Sequence, residues 1–319
     1  MEKKYYNNLI VSSSPHHVNN EDTQRIMAMV IAALIPSLCV ATYVFGPRVL
    51  ALTAVCVVSS VVLEFLWNKL MGRPQTVTDL SAALTGLLIA FNVPSNLPFY
   101  IAIIGCAIAI ILVKGLFGGL GHNLFNPAIT ARVVLFIAFA TQMTTWPVAR
   151  AYDGTTGATP LGLLKENGGE GLPSNMDMFL GFCGGSMGEV SAVALLIGGL
   201  FLIWKKVISP IIPACFIGTV FVIGFIATGS LDMAIFHIFA GGVMLGAFFM
   251  ATDYVTTPIL PLGKVIFGVG CGVMTMLIRL FGAYPEGVSF AILLMNILTP
   301  HIDNFCTNRL YPVKKGGAK

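Results

Sequence analysis

Charge is what this sequence lacks most. Lys, Arg, Asp and Glu make up 10% of its 319 residues, where soluble domains average about 25%. Hydrophobic residues supply 56% and mean hydropathy is +0.86. That combination excludes an ordinary soluble domain and marks a polytopic membrane protein. The net charge of +4 is too small to point to nucleic acid. Metal-ligand spacing is missing as well. The seven cysteines (Cys39, Cys56, Cys106, Cys183, Cys215, Cys271 and Cys306) form no CxxC pair and no Cys/His cluster. A zinc or iron–sulfur site held by this chain alone is therefore not expected, and most of these thiols read as small buried hydrophobes. Any redox chemistry needs an organic cofactor or ligands from a partner. A secretory leader is also lacking. The first apolar run starts near Ile26, behind Glu21 and Asp22, with no small-residue cleavage site, so the first span is expected to be retained. No side chain is assigned a catalytic role.

What is there is apolar sequence in blocks. Ten runs read as spans, near 25–45, 49–67, 79–93, 98–117, 127–145, 188–204, 208–229, 234–251, 260–281 and 286–300, at roughly 20 residues each with the third and tenth short. Ten spans place both termini on one side. Of the 18 Lys and Arg, 14 fall on that side, including Lys69, Arg73, Lys114, Arg132, Lys205, Lys206 and Lys264. Four fall on the other: Arg48, Arg150, Lys165 and Arg279. The positive-inside rule then puts both termini in the cytoplasm and the long loop between spans five and six outside. A repeat is visible within the chain. GLLIAFNVPSNLP (Gly86–Pro98) resembles GAFFMATDYVTTP (Gly246–Pro258), and some thirty residues on GLFGGLGHNLFNPAITARVVL resembles RLFGAYPEGVSFAILLMNIL. Five spans per half inverts the second copy, an arrangement with broken helices known from transporters. The expected fold is all-α and polytopic, about ten transmembrane helices in two inverted five-helix repeats. Its segments are a leader 1–24, a first repeat 25–145, a loop 146–187, a second repeat 188–300 and a tail 301–319.

Several polar stretches stand out against this background. In DGTTGATPL (Asp153–Leu161), small residues surround a reactive hydroxyl. Gly154, Gly157 and Ala158 leave Thr159 unshielded, and Asp153 adds a carboxylate for the backbone or for a magnesium ion. The same run also reads as an Asx-type turn. GGSMGEV (Gly184–Val190) opens span six. Its glycines, Gly188 among them, offer an anion cradle at a helix start. It is equally a capped start, with Ser186 as N-cap and Glu189 three residues on. GHNLFNPAITAR carries His122, Asn123, Asn126 and Arg132, where the asparagines suit capping of a broken helix. Glu64, Asp79 and Asp253 lie in or beside apolar spans, where ionisable groups are candidates for an ion pathway. Asp79 also reads as the N-cap of span three, and Asp253 as a cap within a break. Arg279, at the outer end of span nine, either snorkels or neutralises a phosphate.

DGTTGAT resembles the covalent flavin-attachment motif of two related membrane subunits. These are the D subunit of the Rnf ion-translocating electron-transport complex and the B subunit of the sodium-translocating NADH:quinone oxidoreductase. GGLGHNLFNPA (Gly118–Ala128), GGSMGEVSA (Gly184–Ala192) and MATDYVTTP (Met250–Pro258) extend the resemblance along the chain, with Tyr254 standing where Pro is expected. The short leader and the length favour the Rnf type. The resemblance implies FMN carried on Thr159 through a phosphoester to the ribityl phosphate, which makes Thr159 a phosphorylated residue. A separate flavin transferase installs it from FAD. It further implies a non-covalent riboflavin, expected near Gly118–Pro127 or Asp253–Pro258. Asp153, Gly157, Ala158, Ser186, Gly188, Asn123 and Asn126 then become candidate cofactor contacts, and Asn123 and Asn126 could meet a flavin or quinone edge. The implied reaction is electron transfer between ferredoxin and NAD coupled to Na+ or H+ translocation. It is carried out in the cell inner membrane with other Rnf subunits and lipid as partners. Competing readings are a urea-channel-like solute transporter, a quinone-reductase subunit, and a scaffold for neighbouring redox subunits.

Overall fold

The computed structural model describes residues 22–150, 156–167, 171–282 and 284–310. Residues 1–21 of the leader, residues 311–319 of the tail, Asp153 and Gly154 lie outside these residues. Helix α1 (Thr23–Phe45) starts where Asp22 accepts the Thr23 N–H at 2.8 Å. Gly46 ends it at positive φ. Helix α2 (Arg48–Leu70) follows at once. Its two faces explain why it crosses a bilayer. Leu52, Cys56, Ser60, Glu64 and Asn68 recur at every fourth residue and are buried. Val58, Val62 and Leu66 repeat at the same spacing and are 59%, 47% and 53% exposed. A helix that turns polar groups inward and bare valine and leucine outward is built for lipid.

Helix α3 (Ser81–Phe91) stops at Asn92. Pro94 and Pro98 follow, so the helix cannot continue. The chain returns as α4 (Phe99–Ala107), which runs on into a π-helical stretch, Ile108–Gly115. Helix α5 (Pro127–Ala138) has Pro in its first turn and Asn126 as its cap, accepting from Ala128 N at 3.0 Å and Ile129 N at 3.3 Å. A short α6 (Ala140–Thr144) leads to strand β1 (Trp146–Pro147), which pairs antiparallel with β2 (Thr156–Gly157). Then come α7 (Pro160–Asn167), α8 (Asn175–Leu180), α9 (Ala192–Trp204) and α10 (Ile211–Thr228). Helix α11 (Leu231–Phe239) bends by 64° into α12 (Val243–Leu245) and its π-helical continuation Gly246–Met250. Helices α13 (Pro261–Phe281) and α14 (Val288–Leu310) complete the described chain.

Among the described residues five helices, α1, α2, α10, α13 and α14, are long and apolar enough to cross a membrane, and the bent α11–α12 pair makes a sixth. Segments 81–91, 99–115, 127–138 and 192–204 are apolar but shorter. The protein is a multi-pass, all-α membrane protein.

Helix α2 provides a ruler. At its start Arg48 donates to Asn96 O at 3.0 Å. Close by, Arg150 N bonds Val44 O at 3.0 Å, and the β1–β2 pair connects that segment to Thr156. The Thr159 region thus belongs to the Arg48 end. Glu64 and Asn68 lie toward the other end, Glu64 about 24 Å along the axis at 1.5 Å per residue.

Five residues depart from the sequence reading. Ser186 does not cap a span, because α9 begins at Ala192 and Ser191 accepts its Ala194 N–H at 3.3 Å. Asp79 sits one residue before the cap of α3. Leu80, at φ 61°, occupies the cap position, and Asp79 Oδ1, from one residue earlier, accepts from Ser81 Oγ at 2.8 Å and from the Ser81 N–H at 3.3 Å. Lys114 and Arg132 are not loop charges. They are 3% and 6% exposed, so they drop out of the loop tally, as does Arg279 at 7%.

Candidate functional site

Thr159 heads α7. Gly162 N–H donates to its Oγ1 at 3.1 Å, and Leu163 N–H to its carbonyl at 2.9 Å. The side chain is thus an N-cap, satisfying one of the helix's orphan donors. This corrects the expectation of an unshielded hydroxyl. Gly157 and Ala158 are exposed, but Thr159 is buried at 6% exposure, because capping turns it under the helix. Gly184 packs against the same segment, since a Cβ built there would lie 3.3 Å from Pro147 O and 4.0 Å from Ala158 O.

Deeper in the fold, four chain segments meet at Arg132. It donates to Asn92 Oδ1 at 2.9 Å, pairs with Glu189 at 3.4 Å, and pairs with Glu286. The GGSMGEV segment runs through this junction as a buried strap. Met187 N and Gly188 N donate to Val93 O and Phe91 O in the first break, at 3.4 and 2.9 Å, and Glu189 N donates to Ser186 O at 3.0 Å. These N–H groups are consumed within the protein, so the open anion cradle expected there is not formed by Met187, Gly188 or Glu189. Gly188 is required by contact: a Cβ would sit 2.8 Å from both Leu245 Cδ2 and Phe91 Cβ. Ser186 Oγ is buried with no partner among the described residues. Burial, and then the charge of Glu189, push the Glu286 carboxyl up to about 7 against the pull of Arg132 and Arg279.

At the other end of α2 the breaks border open volume. A cavity of 600 Å³ is lined by Asn123, Asn126, Lys114, Phe248, Phe249 and Asp253, among others. A second cavity of 340 Å³ is lined by Glu64, Asn68, Thr76, Asp79, Lys114 and His122, among others. Lys114 stands between them. Its Nζ bonds Glu64 Oε1 at 2.9 Å, Glu64 Oε2 at 3.0 Å and Ser81 Oγ at 2.6 Å. Thr76 donates to Glu64 Oε1 at 2.6 Å and accepts from Asn68 at 3.0 Å. Asn126 is occupied in capping α5 and in donating to Met250 O at 3.2 Å. Asn123 differs: its Oδ1 is buried and accepts from no described residue. Asp253 accepts from Thr256 Oγ1 at 3.3 Å within its break. Tyr254 donates to Val207 O, closing the cavity rim at the position where the resemblance expects Pro.

The sequence matches the NQR2, RnfD, RnfE family over residues 10–312. The chain belongs to this family. It is 49% identical to the D subunit of the Na(+)-translocating ferredoxin:NAD(+) oxidoreductase complex of Acetobacterium woodii, with 97% of this chain and 96% of the relative covered. It is 43% identical to the D subunit of the proton-translocating ferredoxin:NAD(+) oxidoreductase complex of Clostridium ljungdahlii, at 96% of each. It is 38% identical to the D subunit of the ion-translocating oxidoreductase complex of Shewanella amazonensis, over 94% of this chain and 97% of the relative. The first two relatives are named for different ions.

Sequence reasoning singles out Glu64, Asp79, Asn123, Asn126, Asp253 and Thr159. The structure brings Glu64 and Asp79 to one cavity, and Asn123, Asn126 and Asp253 to the other. It leaves Thr159 at the far end. Three side chains that the sequence reading undervalues are Lys114, Arg132 and Glu189. The signal exists, since ILVKGLF and AITARVVLF each hold one cation inside an apolar run. A charge in such a run argues for burial and pairing as much as for a loop.

Proposed function

We propose that the chain is the D-type membrane subunit of a ferredoxin:NAD oxidoreductase complex, relaying electrons coupled to Na+ or H+ translocation and not catalytic alone. The supporting observation is a separation: the motif threonine caps a helix at one end of α2, and a 600 Å³ cavity with an unpartnered acceptor opens near the other. FMN is held on Thr159 by a phosphoester. The residues fit it, because a phosphoester oxygen at an N-cap still faces the amides and positive dipole of α7. Riboflavin, without a covalent bond, occupies the larger cavity. That volume suits a flavin-sized ligand, Asn123 Oδ1 is free to accept an N–H, and Phe248 and Phe249 offer apolar walls. Flavins supply one- and two-electron redox chemistry at both places. Retention by bond suits a site that neither cavity reaches, and retention by enclosure suits the other.

The finer architecture belongs to the same reading. Five long helices, one bent pair and four shorter apolar segments support ten spans. The breaks after α3 and after Met250 support two inverted five-helix repeats. Both termini are then cytoplasmic and the Thr159 loop is outside. An electron carrier fixed on the outer side does not by itself serve ferredoxin and NAD in the cytoplasm, and the second site answers that need. Glu64 and Asp79 at the smaller cavity, with Asp253 at the larger, are the candidate ion-pathway groups. The partners are the other subunits of the complex, membrane lipid, and a flavin transferase during maturation.

The test is a denaturing gel and an acid extract of the subunit, purified from cells that contain the transferase. Flavin fluorescence should remain with the wild-type band and disappear in Thr159→Val, while flavin released by acid appears in both. A dark wild-type band would overturn the reading and favour the solute-channel alternative.

A further inference from the structure

Arg279 lines neither cavity. It lies in the last turn of α13 and is 7% exposed. Its Nη1 donates to His237 O at 2.5 Å and its Nη2 to Ala240 O at 2.7 Å. Its Nε is buried and bonds nothing among the described residues. No described carboxylate lies within ion-pair distance of it: Glu189 and Glu286 are bonded to Arg132 and act on Arg279 only from farther off. A buried guanidinium that meets only carbonyl oxygens is costly to the fold. Such a group points to an anion that completes its surroundings.

Gly241 locates that anion. It has φ +64°, and a Cβ there would lie 2.7 Å from Leu161 Cδ1 and 2.9 Å from Arg279 Nη2. Leu161 and the guanidinium therefore flank one glycine at van der Waals distance. Leu161 is in the first turn of α7, two residues after Thr159. At the other end of α7, Lys165 donates to Gly282 O, just past Arg279 on the chain. Helix α7 thus lies on the end of α13, with its first turn, the one that Thr159 caps, near the guanidinium.

We infer that Arg279 is the built-in counter-charge of the phosphoester at Thr159, holding it from beneath the first turn of α7. This rests on the proposed attachment of flavin at Thr159. A phosphodiester keeps one negative charge at neutral pH, and guanidinium is the side chain best shaped to receive it. Arg279 is a positioning residue: it fixes the phosphate end and leaves the ring to other surroundings.

A double-mutant cycle on the full-length protein, produced with its transferase, tests this. Thermal midpoints are compared for wild type, Arg279→Gln, Thr159→Val and the double variant, with Arg279→Lys in both backgrounds. Loss of the bonds to His237 O and Ala240 O is common to both backgrounds and cancels. Arg279→Gln should lower the midpoint by about 5 °C more in the flavin-bearing protein than in the Thr159→Val background. Arg279→Lys, which keeps the charge, should show less than half of that excess. Equal shifts in the two backgrounds would overturn the role of Arg279 while leaving the flavin on Thr159. A wild-type protein with no bound flavin would overturn both. If Arg279→Gln fails to accumulate, the Lys pair carries the cycle: a zero excess overturns the inference and a smaller positive one supports it.

Discussion

At the Arg48 end of α2 the buried charges are tied to other protein groups, whereas at the Asn68 end they border open volume. Arg132 holds Asn92, Glu189 and Glu286 in a closed junction, and GGSMGEV is strapped across it by backbone bonds. Lys114 and Glu64 are paired as tightly, at 2.9 Å, yet both line the smaller cavity and Lys114 also lines the larger. The difference is one of ligand logic. A closed junction positions a group that is chemically attached to the chain. A cavity with unpartnered acceptors selects and retains a group that is not. If the two ends use these different means, they should fail independently when altered.

The largest effect is expected at Thr159. Thr159→Val should remove the whole covalent flavin signal while acid-released flavin stays within about 20% of wild type, read by extract fluorescence per mole of protein. Parallel loss of both would break the comparison, because it would make the cavity dependent on the distant loop. The next effect lies at the other end. Lys114→Met leaves the buried Glu64 without its cation, with the Thr76 hydroxyl as its remaining donor, and should cost about 3–5 kcal/mol, as breaking one partner of a buried pair does. The double variant Lys114→Met with Glu64→Leu should recover most of it, since two uncharged side chains leave no stranded ion. Denaturation midpoints in detergent measure both. A double variant no better than Lys114→Met would show that the pair is not the source of the loss.

Gly188→Ala should cost about 1–3 kcal/mol by overpacking, because its Cβ would meet Leu245 and Phe91 at 2.8 Å. The damage should appear as a lower melting midpoint with the acid-released flavin unchanged. Loss of that flavin instead would mean that the strap also shapes the cavity.

Much of this fold is legible in the sequence because lipid simplifies the pattern. Apolar runs, Pro-marked breaks and the Asn126 cap follow from local chemistry, and the Pro94–Pro98 break lies where the prolines put it. What is not legible depends on distant partners. Thr159 reads as an open hydroxyl until Gly162 and the first turn of α7 fold over it. GGSMGEV reads as a helix start because its composition is that of one, and only the carbonyls of Phe91 and Val93 show that its amides are spoken for. Lys114 and Arg132 read as loop charges because a sequence names no carboxylate as their partner. The 158 residues that separate Asn92 from Met250, in contact at 3.6 Å, are the kind of distance that local pattern does not bridge.

The smallest expected effect is also the most diagnostic of the closed junction. Glu286 lies between α13 and α14. Burial and the neighbouring Glu189 raise its carboxyl from 4.5 to about 7, opposed by Arg132 and Arg279. Between those two values the folded protein binds more protons than the unfolded chain, so stability should fall as pH rises through that window and level off above it. Glu286→Gln keeps the neutral form at every pH. Its melting midpoint should match wild type near pH 4.5 and exceed it by about 3 °C above roughly pH 7. Wild type and variant with the same slope across the window would mean that the Arg132 pairing holds Glu286 ionised throughout. The junction would then be a fixed ion-pair triad, with no titratable member between its two ends.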